Sequence, residues 1–286
     1  DPLGRMVSRQ DAEDETTTWE WDSAANGIGK LAEVTSPDGH KDAYTYDFFG
    51  RPETTKRTID GEVFTTTTSY DEFGRLEKIT YPDSGIGAPF EVERTYDAHG
   101  HLLTVQDAAT DKAYWKLESP DSAGRIWAEQ LGGGIATTTR TYFDAKNRVK
   151  SISTKAGGVT IQDLSYEYDK RLNLLHRADA RQGKTEYFWY DNLDRLVGSS
   201  FSKATRASTY SYAPNGNILA MPDVGSYTYD PDHPHAVATA GGASYGYDAV
   251  GNQVVRPGAT IEYTAFDLPK RFTLDGGAGT IVLDYD

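Results

Sequence analysis

The stretch Ser69-Tyr70-Asp71-Glu72-Phe73-Gly74-Arg75-Leu76 returns in altered form along the whole chain. Legible copies are Tyr46-Asp47-Phe48-Phe49-Gly50-Arg51, Tyr96-Asp97-Ala98-His99-Gly100-His101-Leu102, Tyr190-Asp191-Asn192-Leu193-Asp194-Arg195-Leu196 and Tyr247-Asp248-Ala249-Val250-Gly251-Asn252. A unit recurring at a near-fixed period signals a repeat architecture, so the period governs every later assignment.

The unit has a physical reading. Asp opens a type I turn, its carboxylate accepting a backbone N–H two residues on, and Gly closes the turn where a positive φ is wanted. The Tyr before and the Leu, Ile or Val after are good strand formers. Tyr-Asp-x-x-Gly-Arg-Leu is therefore a tight hairpin. Asn147 and Asp194, which stand at the Gly position in two copies, are residue types that tolerate a left-handed backbone. Leu172, in Tyr168-Asp169-Lys170-Arg171-Leu172-Asn173-Leu174, does not fit.

Counting the Asp of each copy gives positions 22, 47, 71, 97, 121, 144, 169 and 191. Beyond these the aligned aromatics are Tyr212, Tyr229, Tyr247, Phe266 and Tyr285, at a shorter step. No Pro/Ser-rich linker interrupts the frame, so residues 1–286 are expected to form a single array. Aromatic-x-aromatic pairs precede the turns: Trp19/Trp21, Tyr44/Tyr46, Tyr166/Tyr168, Phe188/Tyr190, Tyr210/Tyr212, Tyr227/Tyr229 and Tyr245/Tyr247. A period of two places both rings on one face of a strand. After the turns, apolar residues stand three apart (Leu31/Val34, Leu76/Ile79, Leu102/Val105, Val149/Ile152). That spacing is helical at first sight, but too few residues separate the flanking turns, and a strand apolar on both faces, or carrying a bulge, is expected instead. Asp-Gly and Gly-Gly pairs such as Asp60-Gly61 and Gly157-Gly158 supply the return turns. A competing pattern, Leu164, Tyr168, Leu172 and Leu175 at helical spacing, leaves a local helix or a looser turn open there. The expected fold is all-β, an antiparallel hairpin meander.

Composition agrees. The chain has 286 residues with 19 Tyr, 10 Phe, 5 Trp and 28 Gly but only 2 Met, a strand-and-turn balance. Its net charge of −14 offers no basic stripe to a nucleic-acid backbone. Zero Cys excludes a disulfide framework and thiolate zinc sites. No apolar run approaches the ~20 residues that cross a bilayer. Asp1-Pro2-Leu3-Gly4-Arg5 is the turn without its Tyr, and Tyr285-Asp286 is the opening of another, so the segment is expected to come from a longer array with any export signal outside it.

The period resembles the YD/RHS repeats of bacterial Rhs polymorphic toxins, of the B and C components of Tc insecticidal toxin complexes, and of animal teneurins. Tyr229-Asp230-Pro231-Asp232-His233-Pro234-His235-Ala236-Val237 is similar to a variant segment of the same proteins. The resemblance implies a meander curling into part of a hollow β-shell, secreted from the bacterium, that encloses a C-terminal toxin or effector polypeptide until delivery. It also implies that partners are this polypeptide and the rest of the shell, and that an aspartyl self-cleavage module, where present, lies C-terminal. Asp1-Pro2-Leu3-Gly4 matches the Asp-Pro-x-Gly cleavage signature but sits in the repeat frame, and is expected to be an ordinary turn.

The remaining motifs carry little chemistry. Gly242-Ala243-Ser244-Tyr245-Gly246 fits the nucleophile-elbow pattern, which requires a strand before and a helix after, whereas another hairpin follows. His99/His101 and His233/His235 each offer two metal ligands where three or four are needed. Paired carboxylates for glycoside hydrolysis cannot be singled out, because every copy carries Asp for a turn reason. Gly277-Ala278-Gly279 lacks the third glycine of a dinucleotide loop. The expectation is a non-catalytic shell segment with no catalytic residue, metal or cofactor, and binding residues unassigned. The alternative is an extracellular module whose exposed Tyr and Trp hold carbohydrate or a cell-surface partner.

Overall fold

The computed structural model describes residues 1–10, 16–264, 267–283 and 285, and strand and turn account for nearly all of them. A 3-10 turn at Asp275–Gly277 is the one helical piece among the described residues. The repeat position of Phe266 and the closing Asp286 lie outside the described residues. The chain packs as two compact units, Asp1–Thr139 and Arg140–Tyr285.

In the first unit the strands Thr16–Trp21, Leu31–Thr35, Lys41–Tyr46, Pro52–Ile59, Glu62–Tyr70, Leu76–Thr80, Glu91–Tyr96, Leu102–Asp107, Ala113–Pro120 and Ile126–Leu131 each pair antiparallel with the next. In the second the same meander runs from Arg148–Ala156 to Ser208–Thr209, and two five-stranded sheets follow. Motif turns and return turns alternate. At the return turn both Asp60 (φ 51) and Gly61 (φ 81) are left-handed, as a two-residue hairpin loop requires.

The three-residue apolar spacing has a concrete cause. At the hairpins of Trp21, Tyr46, Tyr70, Tyr96 and Tyr168 the register skips one residue on the departing strand: Ser69 pairs with Lys78 but Tyr70 with Leu76, which leaves Glu77 bulged. The same skip leaves out Glu53 opposite Tyr46, Leu103 opposite Tyr96 and Leu175 opposite Tyr168. One extra residue restores the two-fold alternation, so Leu76 and Ile79 come to the same face, opposite Tyr70 and Thr68.

Where the helical spacing competed, the backbone is strand from Val159 to Tyr168 and again from Leu174 to Asp179. Nor is the turn loosened. Leu172 takes the glycine position with φ 72, and its N–H still reaches the Asp169 carbonyl at 3.3 Å. A β-turn held at both ends by strand pairing overrides the local preference of leucine.

The register gives the first sheet two unlike faces. Trp19, Trp21, Val34, Tyr44, Tyr46, Thr68, Tyr70, Ile79, Val92 and Tyr96 share one. Thr45, Thr54, Thr67, Thr80 and Glu91 stand in consecutive register on the other. There the hydroxyls of Thr45 and Thr54 meet at 2.7 Å, and Thr80 donates to Glu91 at 2.7 Å. The buried apolar residues among those described are Ala32, Ala128, Ala240, Ala259 and Ile261, and no large side chain is fully enclosed. Trp19, Trp21, Tyr44, Tyr46, Tyr70 and Tyr96 are half-buried on the sheet, with no deep core beneath them.

Candidate functional site

The turn chemistry places the chain's charged and aromatic groups side by side. Asp47 accepts the backbone N–H groups of Phe49 (2.9 Å) and Arg51 (2.8 Å) on one carboxylate oxygen, and the Arg51 Nε–H (2.7 Å) on the other. Backbone bonds from Gly50 to the Asp47 carbonyl and from Asp47 to the Arg51 carbonyl close the loop. Asp71 with Phe73 and Arg75, Asp121 with Ala123 and Arg125, and Asp191 with Leu193 and Arg195 reproduce this arrangement. Asp169 with Asn173 and Asp248 with Asn252 do so with an amide in place of the guanidinium.

These carboxyls lie low. Burial pushes Asp71 upward, but the Arg75 backbone N–H and guanidinium outweigh it and hold Asp71 below its ordinary value. The Arg5 guanidinium, then the Gly29 N–H, bring Asp22 to about 2. The His101 backbone N–H, then its imidazole, bring Asp97 to about 2. Each is an acceptor engaged by its own turn or, for Asp22, by Arg5 of the preceding turn, which leaves it unsuited to act as a base.

Adjacent repeats are joined by a link the sequence reading did not contain. Arg51 lies over the ring of Tyr70 at 4.2 Å, Arg75 over Tyr96 at 4.4 Å and Arg195 over Tyr212 at 4.7 Å. In each pair the Tyr belongs to the repeat after the Arg. The Tyr hydroxyl then donates back across the joint: Tyr70 to the Pro52 carbonyl (2.8 Å), Tyr96 to Leu76 (2.7 Å), Tyr212 to Leu196 (2.8 Å). Burial, followed by the Asp47 carboxylate, raises the Tyr70 phenol, which keeps it a neutral donor. Trp21, standing where a Tyr is expected, fills both roles: Arg5 lies 5.0 Å over its ring, and its Nε1–H donates to the Met6 carbonyl at 2.7 Å. In these joints the motif Tyr rings are covered by guanidinium groups.

A signal for this link was present in the sequence. A turn alone requires Asp and Gly; it does not require Arg after Gly, nor an aromatic with a hydrogen-bond donor before Asp. The persistence of both, and the choice of Trp at position 21, marks a lateral contact.

The other candidates resolve locally. Asp1 accepts the N–H groups of Leu3 and Arg5 and pairs with the Arg5 side chain, so Asp1-Pro2-Leu3-Gly4 is an ordinary motif turn. Ser244 sits in a short strand paired with Val237–Ala240, and strand Gly246–Tyr247 follows in place of a helix. His101 takes the Arg position against Asp97 at 3.0 Å, and His99 is exposed beside it. His235 bonds the Asn217 side chain at 2.7 Å, while His233 lies 3.5 Å from Asp230. Gly279–Val282 is a strand paired with Pro269–Leu274, not a phosphate loop. A shallow depression of about 290 Å³ in the second unit is lined by Leu164, Tyr166, Arg177, Asp179, Lys184 and Phe201 among others, and Arg177 is paired there with Glu186 at 2.8 Å.

Residues 127–267 match the family described as Teneurin YD-shell. A curated relative, the toxin subunit YenC2 of Yersinia entomophaga, is 28% identical over 200 residues, covering 59% of this chain and 20% of its own length. Among solved structures, the Photorhabdus luminescens Tc holotoxin pore carrying a TccC3 mutation aligns over 97% of this chain and 19% of that one, at 14% identity and a TM-score of 0.44. The TcdB2-TccC3-Cdc42 crystal structure aligns over 92% and 20%, at 16% identity and a TM-score of 0.31. The chain thus spans about a fifth of the length of each relative. Taken with the Tyr-Asp-x-x-Gly-Arg-Leu frame and the hairpin meander it builds, the family match over residues 127–267 and the toxin-subunit relative support a kinship of this chain with the YD/RHS-repeat proteins.

Proposed function

We propose that residues 1–286 serve as one array of wall in a hollow β-shell, which holds a C-terminal toxin or effector polypeptide until delivery outside the cell. The observation that carries this is the Arg–Tyr link between successive motif turns. Where present, it joins a hairpin to the next without a deep core, so a sheet can extend by repetition. The lack of an enclosed large side chain among the described residues supports a wall over a compact domain. The motif carboxylates Asp47, Asp71 and Asp191 are engaged by their own turns, which supports a structural, non-catalytic role. None of the described helices is long and apolar enough to cross a membrane.

Protease protection tests the proposal. In the longer protein that carries this segment, the polypeptide C-terminal to residue 286 should survive protease while the shell is intact. It should become digestible when joints are cut by Arg51→Ala with Tyr70→Ala. Digestion of that polypeptide at the same rate in the unaltered protein overturns the reading.

A further inference from the structure

The lateral links of the first unit are interrupted at one place. Along its turn row the cation–ring pairs are Arg5 with Trp21, Lys30 with Tyr46, Arg51 with Tyr70 and Arg75 with Tyr96. At the following joint the Arg position is His101 and the Tyr position is Pro120. His101 turns back to Asp97, at 3.0 Å, and its side chain is 67% exposed. Pro120 has neither a ring to accept a cation nor a hydroxyl for the Leu102 carbonyl, the counterpart of the Leu31, Pro52 and Leu76 carbonyls that Tyr46, Tyr70 and Tyr96 engage.

The strand register marks the same gap. The return pairing of Pro52–Ile59 with Glu62–Tyr70 runs in unbroken register over six pairs, from Thr54↔Thr67 to Ile59↔Glu62. The returns of Leu31–Thr35 with Lys41–Tyr46 and of Leu76–Thr80 with Glu91–Tyr96 have three pairs each and are also unbroken, whereas that of Leu102–Asp107 with Ala113–Pro120, likewise three pairs, carries a register shift. The far side of Ala113–Pro120 carries, besides the motif bulge, one further shift between Leu117 and Ser119 against Ile126–Leu131.

We infer that the first unit has a built-in parting line between Leu102–Asp107 and Ala113–Pro120, where its sheet opens ahead of every other joint from Asp1 to Arg125. Opening there frees two strand edges to a protease or to an incoming strand. Neither the lapsed link nor the register shift depends on the shell reading.

Hydrogen exchange of the whole chain under native conditions tests it. Amides of Leu102–Asp107 should exchange at least tenfold faster than those of Pro52–Ile59, the equivalent strand at the Arg51–Tyr70 joint. Repairing the joint with His101→Arg and Pro120→Tyr together should slow exchange at 102–107 by tenfold or more, beyond the product of the single effects, and leave 52–59 unchanged. The converse pair, Arg51→His with Tyr70→Pro, should speed exchange at 52–59. Equal protection of the two strands in the unaltered chain overturns the inference, and this comparison decides the matter even where a repaired variant does not fold. A folded double repair with unchanged exchange at 102–107 overturns it equally.

Discussion

Arg51 is held between two partners from different repeats: its guanidinium pairs with Asp47 of its own turn at 2.6 Å and lies 4.2 Å over the ring of Tyr70 in the next. One residue thus closes a hairpin and fastens it to its neighbour. The Tyr70 hydroxyl completes the joint by donating to Pro52, the residue after Arg51.

This geometry predicts a measurable coupling. Tyr70→Phe keeps the ring but removes the hydroxyl, and should cost about 0.5–1.5 kcal/mol, the usual value of one hydrogen bond. In a double-mutant cycle Arg51→Met and Tyr70→Leu should couple by about 0.5–1 kcal/mol, the scale of an exposed cation–π pair. The same cycle on Arg51 and Tyr46, which belong to one repeat, should give no coupling. Denaturant unfolding of the four variants in each cycle provides the values, and additive effects at Arg51/Tyr70 would show that the contact is incidental.

Gly74 sits at φ +81, where a β-branched side chain is strained. Gly74→Val should therefore destabilise by about 1–3 kcal/mol. Glu72 lies in the same turn, and Glu72→Ala should change stability by less than about 0.5 kcal/mol. Thermal or urea unfolding of the pair checks both, and equal losses would mean that the turn conformation is not what glycine serves.

Leu172 offers the reverse experiment. It holds the glycine position at φ 72, at a cost of about 1–2 kcal/mol for an L-residue. Leu172→Gly removes that strain but frees the unfolded backbone by about 0.5–1 kcal/mol, so a net gain of about 0.5–1 kcal/mol is expected. An unchanged or lowered urea midpoint would contradict it.

Acid should unfold the protein over a defined range. Asp22 and Asp97 lie at about 2 in the folded state, below the ordinary carboxyl value, and Asp47, Asp71, Asp121 and Asp191 are lowered as well. A carboxyl whose folded pKa is depressed contributes stability above its unfolded value of roughly 3.9, and that contribution disappears as pH falls through the folded value. Melting temperature should hold steady down to about pH 5 and then drop steeply towards pH 2. A melting temperature that rises on acidification would refute the role assigned to these turns.

The period, the Asp and Gly of each turn and the alternation before it were enough to specify an antiparallel hairpin meander, because a two-residue side-chain period and a left-handed turn position are local properties of the backbone. The bulge needed partner strands: nothing in Leu76-Glu77-Lys78-Ile79 says which residue is skipped until Tyr70 stands opposite Leu76. The left-handed Leu172 also ran against its local preference, since the pairing of both flanking strands fixes the turn and the leucine conforms. The Arg–Tyr joint was least legible of all. Arg51 and Tyr70 lie in different repeats and become neighbours only when the intervening strands pair across the Asp60-Gly61 return turn. The sequence by itself determined the unit and its local shape. Which unit is fastened to which, and where the fastening lapses at His101 and Pro120, was decided by the tertiary structure, because such contacts form only between strands already in register.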